Sequence, residues 1–159
     1  MPITMEDLTV GLDSTDRDSL LDDWRWLIGL DKQPILVTAM GNAFVQDPGS
    51  GVVELLDAGT GKLKQVAASF DEFKALLSDK SFVYENLLVD DVVHLRESGK
   101  LLEPGQVYGF EIPPALGGSF DAENVVPSDV SVHFSVSGQI HRKVKDLPEG
   151  TPMSQIRLD

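Results

Sequence analysis

The 159-residue chain carries 26 acids against 13 bases, a formal charge of −13, with 42% hydrophobic and 25% charged residues. This is the composition of one ordinary globular domain, since domains most often run to about 100–150 residues. Cysteine is absent, which removes disulfide frameworks, thiolate nucleophiles and cysteine-based zinc sites. The charge argues against nucleic-acid and anionic-membrane partners, whose phosphates need clusters of Lys and Arg.

Residues 1–13 show no strong period and are expected to form an arm, with a single α+β domain over residues 14–159. The N-terminus MPITMEDLTVGLDSTDRD holds acids where a signal peptide holds bases ahead of an apolar core. No apolar run approaches the roughly 18 residues of a membrane span, so a cytoplasmic location is expected. Ser14 or Thr15 can cap a helix running to about Leu30, with Asp16 and Asp18 near its positive end. Leu20, Trp24, Leu27 and Ile28 share one face at helical spacing, with Leu21 at its margin, and Asp22 and Asp23 point away.

From Gln33 the period changes. Pro34–Met40, Ala43–Val45, Val52–Leu56 and Leu63–Val66 are short β-favouring runs. They are separated by Gly41-Asn42, by Asp47-Pro48-Gly49-Ser50-Gly51 and by Gly59-Thr60-Gly61, all turn chemistry. Connections this short force neighbouring strands to be antiparallel, so a meander of about four strands is expected.

Ser69-Phe70-Asp71-Glu72 matches a capping box and predicts a helix. A second helix is predicted from Phe82 to Arg96, with Gly99 as its stop. Gln106–Ile112 reads as a strand that runs into the irregular Pro113-Pro114-Ala115-Leu116-Gly117-Gly118. Val130–Val136 alternates strictly and predicts a half-buried strand. Ser137-Gly138 then reads as a turn into Gln139–Val144, strand or short helix. The order of elements means an α+β fold, an antiparallel meander with an N-terminal helix and two central helices packed on it.

Motifs for chemistry are sparse. Ala58-Gly59-Thr60-Gly61-Lys62 looks like the tail of a phosphate-binding loop, but Leu56 and Leu63 stand where such a loop needs Gly and Ser or Thr, so it reads as a turn. His94 lies near Asp90, Asp91 and Glu97 on a predicted helix, a pattern better read as a solvated face than as a cation site. No metal site and no cofactor is expected. His133, His141 and Arg142, with serines nearby, could serve a small-ligand or hydrolytic site, although no nucleophile elbow accompanies them. Trp26 falls between Asp22 and Leu30, off the apolar stripe. It reads either as a binding anchor ringed by carboxylates or as a ring covered by the arm or a C-terminal loop.

Two stretches carry a resemblance. The first is Met40-Gly41-Asn42-Ala43-Phe44-Val45-Gln46-Asp47, continued by Val53–Leu63 and Ser69–Phe73. The second is Ile112-Pro113-Pro114-Ala115-Leu116-Gly117-Gly118, continued by Val132–Pro148. Together, from about residue 33 to 152, they resemble a bacterial domain of formerly unknown function now associated with immunity proteins against type VI-secreted DNase toxins. The form is that of the C-terminal domain without the companion domain that longer members carry upstream.

The resemblance implies a non-enzymatic immunity protein, an antitoxin that neutralises a cognate nuclease toxin by stoichiometric occlusion. A nuclease cleft must attract phosphates and is therefore basic, which an acidic face can match. Asp16, Asp22, Asp23 and Trp26 are the candidate partner-binding residues. The rival is a ligand-binding or hydrolytic domain using His133, His141 and Arg142, and a weaker third reading is a structural partner in secretion.

Overall fold

A computed structural model of the chain describes residues 3–11, 17 and 19–147. One helical turn, α1 (Met5–Leu8), leads into β1 (Thr9–Val10), which pairs antiparallel with β2 (Gln33–Thr38). The described part of the arm is thus joined to the edge of the sheet through Thr9 and Val10. A 3-10 turn at Asp22–Trp24 and α2 (Arg25–Ile28) follow.

The meander is as expected. β2, β3 (Ala43–Gln46), β4 (Val53–Asp57) and β5 (Lys62–Ala67) pair antiparallel in sequence order behind β1. Both faces of this five-stranded sheet are covered, because alternate side chains of one strand point to opposite sides. Phe44 joins a core with Phe73, Leu87, Val92 and Leu95, whereas its neighbours Ala43 and Val45 join a second core with Trp24, Ile28, Val130 and Phe134.

Three helices cover the first face. α3 (Phe70–Leu76) starts where the capping box predicts, with the Ser69 hydroxyl accepting from the Glu72 amide at 3.1 Å. The single helix expected over Phe82–Arg96 is two. α4 (Lys80–Asn86) is capped by Asp79, and α5 (Val89–Glu97) begins after Leu88, whose φ of 53° lies in the left-handed region and breaks the helix. Its stop is the predicted one, for Gly99 has a φ of 86°.

β6 (Gln106–Phe110) pairs with β7 (Val125–Asp129) in a small second sheet. Then comes the largest departure from the sequence reading. Residues Val130–Val144 form one 15-residue helix, α6, in place of a strand, a turn and a second short element. Val130, Phe134 and Gly138 recur every four residues on its buried stripe, and the Asp129 carboxylate accepts from the Val132 amide at 3.0 Å to cap it. Over seven residues the alternation of Val and Ser satisfies a period of two. Over fifteen, the helical stripe and its cap decide, and tertiary burial overrides the β preference of valine.

The N-terminal element also differs. Of the helix expected to reach Leu30, the described residues form only the 3-10 turn and α2, which ends at Gly29 with a φ of 91°. Its proposed caps Ser14 and Thr15, with Asp16 and Asp18, lie outside the described residues. The apolar stripe itself holds, since Leu20, Leu21, Trp24 and Ile28 are all buried.

Candidate functional site

Helix α6 is held against the rest of the molecule by two imidazoles. His133 Nε2 lies 2.7 Å from the Gly41 carbonyl and His141 Nε2 lies 3.0 Å from the Ala58 carbonyl. A carbonyl only accepts, so each Nε2 carries the hydrogen and each neutral ring keeps Nδ1 as an acceptor. Burial pushes both imidazoles below the ordinary value of 6.5. For His133 the Gly41 carbonyl opposes the shift, and for His141 the carbonyls of Ala58 and Gly59, then Asp57, do so.

The glycines opposite are shaped by these rings. A Cβ on Gly41 would stand 2.5 Å from His133 Nε2, and one on Gly61 would stand 2.6 Å from His141 Nδ1. Both residues also have a positive φ, of 80° and 73°, which side chains rarely adopt. The β2–β3 and β4–β5 turns are therefore sockets for α6. Asn42, buried between them, accepts from the Ala58 amide at 3.0 Å, and Asp57 accepts from Gly59 and Thr60. The Gly59-Thr60-Gly61 run is a turn of a β-hairpin, as the sequence reading has it.

On its other flank α6 meets the segment that carries Trp24 and Trp26. A Cβ on Gly138 would stand 2.5 Å from the Asp23 carbonyl oxygen. Ser135 donates to the Asp23 carboxylate at 2.6 Å, and Trp26 Nε1 donates to the Gly138 carbonyl at 3.3 Å. Trp26 stacks on the fully buried Trp24 at 5.7 Å, with Lys145 over its ring at 5.6 Å. Such aromatic pairs add about 0.5–1.5 kcal/mol beyond burial.

The candidate partner-binding residues are thus placed unequally. Trp26 is half-buried in a seam and covered by α6 and Lys145, at the end of that helix. Asp23 faces α6, Asp22 is exposed and 3.9 Å from Arg25 in its own turn, and Asp16 lies outside the described residues.

The alternative set divides as well. His133 and His141 line one pocket, while the exposed Arg142 lies on a different face with Asp23, Gln139, Lys143 and Asp146. Neither imidazole is hydrogen-bonded to a carboxylate among the described residues. His94 is exposed, and no group of three or more His, Asp or Glu side chains is placed to hold a metal ion among the described residues.

The histidine pocket has a volume of about 170 Å³ and is mostly apolar, with Phe110, Pro113, Pro114, Val132, Val136 and Ile140 in its walls. The loop that supplies Pro113 and Pro114 is pinned by Asn124. Asn124 accepts from the Ile112 amide at 2.9 Å and donates to the carbonyls of Ile112 and Ser119, both at 2.7 Å. A Cβ on Gly118 would stand 1.7 Å from the Ile112 oxygen, so only glycine closes this loop. Val132 and Val136 in its lining are 57% and 37% exposed, and Ile112 and Phe120 on the adjoining loop are 50% and 62% exposed.

Comparison with known proteins bears on the same segment. Residues 67–141 match the family model of the T6SS immunity protein Tdi1, C-terminal. The match runs from the end of β5 to His141 and takes in α3 to α5, the small second sheet and most of α6. Among solved structures, the crystal structure of Atu4351 from Agrobacterium tumefaciens shares the fold, with a TM-score of 0.53 at 18% identity over 76% of this chain and 60% of that chain. This chain therefore spans less than two thirds of that protein. No curated protein matches it significantly. No helix of the described residues is long and apolar enough to cross a membrane.

The exposed apolar patch is not legible in the sequence, because Val130–Val136 satisfies a strand period that puts Val132 and Val136 on the same face as the buried Val130 and Phe134. One signal was available: residues 101–141 contain no Lys or Arg but five acids, Glu103, Glu111, Asp121, Glu123 and Asp129.

Proposed function

We propose that this chain is an immunity protein that neutralises a type VI-delivered nuclease toxin in the cytoplasm by forming a stoichiometric complex with it. The match of residues 67–141 to an immunity family carries this reading. The formal charge of −13 supports a basic partner, because complementary fields speed encounter by about 10–1000-fold at low salt. Occlusion needs a rigid surface and a slow off-rate rather than reactive groups. The two imidazoles suit that role, since each is neutral and engaged with a backbone carbonyl.

The test is titration of the purified chain into a purified type VI nuclease domain, sought among the genes adjacent to that of this chain, with DNA cleavage as readout. Cleavage should cease at one equivalent. Cleavage that persists in large excess of this chain would rule out neutralisation by binding.

A further inference from the structure

We infer that the toxin docks on the face formed by α6 and the Ile112–Phe120 loop, and inserts one apolar side chain into the histidine pocket. This rests on the immunity reading above and specifies where and how the partner is held. Contiguous exposed apolar surface on a monomer marks an interaction site more often than isolated apolar residues do. Here the exposed Val132 and Val136 line the pocket, and the exposed Phe120 packs edge-on against Phe110 in its wall, with exposed Ile112 next to the lining Pro113. Its volume of about 170 Å³ compares with the roughly 150 Å³ cavity that accommodates a benzene ring, so one aromatic or branched aliphatic side chain fits.

Charge selects the occupant. Glu111, Asp121, Glu123 and Asp129 are exposed on this segment, whose bases are Lys100, with its Nζ tied to the Ala122 and Val125 carbonyls, and Arg142 and Lys143 in the last turn of α6. A partner that presents an apolar side chain among Lys and Arg residues meets both features at once. A second copy of this chain would bring carboxylates against carboxylates, at a cost in affinity. The surface is also preorganised, because Asn124 and Gly118 fix the loop wall and the two imidazoles fix α6, so little ordering entropy is lost on docking.

Binding of a catalytically inactive form of the nuclease domain that this chain neutralises in the titration above, measured by surface plasmon resonance, tests the inference. Three variants accompany the wild type: Val132→Glu with Val136→Lys, Glu111→Lys with Asp121→Lys and Glu123→Lys, and the control Tyr84→Lys on α4. All substituted side chains are solvent-exposed, and circular dichroism melts confirm folding. The apolar-face variant should lose at least tenfold in affinity, mainly through a faster off-rate. The charge-reversed variant should associate more slowly and show a weaker salt dependence of the on-rate, while Tyr84→Lys should match the wild type. Wild type that binds while the first two variants bind equally well overturns this docking face and leaves the immunity reading standing. Wild type that fails to bind defeats that reading and the inference with it. A wild-type dimer in light scattering that the apolar-face variant dissolves would assign the face to self-association and overturn the inference.

Discussion

Replacing Gly138 by alanine isolates the seam that seats α6. In an isolated helix the change is favourable by about 1 kcal/mol. Here the added Cβ would stand 2.5 Å from the Asp23 carbonyl oxygen, 2.7 Å from its carbon and 3.0 Å from its Cβ. Ordinary contact begins at about 3.4 Å, so helix and turn must part by about 0.9 Å. The obstacle is backbone, which cannot rotate away. Such overpacking typically costs about 1–3 kcal/mol, and opening the seam also strains the Ser135–Asp23 and Trp26–Gly138 hydrogen bonds. With the upper end of that range offset by the helix-propensity gain, a net loss of about 2 kcal/mol follows. At about 2–4 °C per kcal/mol for a chain of this size, calorimetry should show a melting temperature about 4–8 °C lower. Both tryptophans of the chain sit in this seam, so fluorescence should shift to longer wavelength in the folded variant. Ser131→Ala, exposed on the same helix, should leave both readouts unchanged. A Gly138→Ala protein as stable as the wild type, with unaltered fluorescence, would refute this packing of α6 on the Asp23 turn.

Stability should fall as the medium is acidified. His133 and His141 are held below 6.5 in the folded state, so the unfolded chain binds their protons first. Their contribution is complete above about pH 6.5 and is lost as pH falls from there through the folded values, and His133→Gln should flatten this slope in urea titrations between pH 7 and 5. Asn42→Ala leaves the buried Ala58 amide without its acceptor and should cost about 1–3 kcal/mol in the urea midpoint. Asp79→Ala removes the acceptor for the Ser81 and Phe82 amides and should cost about 0.5–2 kcal/mol, read by thermal melts. An unchanged midpoint in either variant would mean that the bond does not hold its turn or helix in solution.

Local chemistry carried much of the fold into the sequence. The turns Gly41-Asn42, Asp47–Gly51 and Gly59–Gly61 are short and built from turn residues, so they fix an antiparallel meander whatever packs on it. The Ser69 cap and the Gly99 stop are equally local and hold in the structure. What the tertiary structure alone decided is where α6 lies and what it presents. Val130–Val136 satisfies a strand period by itself; the longer stripe and the Asp129 cap favour the helix, and the sockets at Gly41 and Gly61 and the Asp23 turn seat it. Those partners lie about 70–115 residues away in the chain, beyond the reach of any periodicity. The same selection turns Trp26 into packing and sets Val132 and Val136 outward at the pocket, because a helix separates them from Val130 and Phe134, with which a strand would place them on one face.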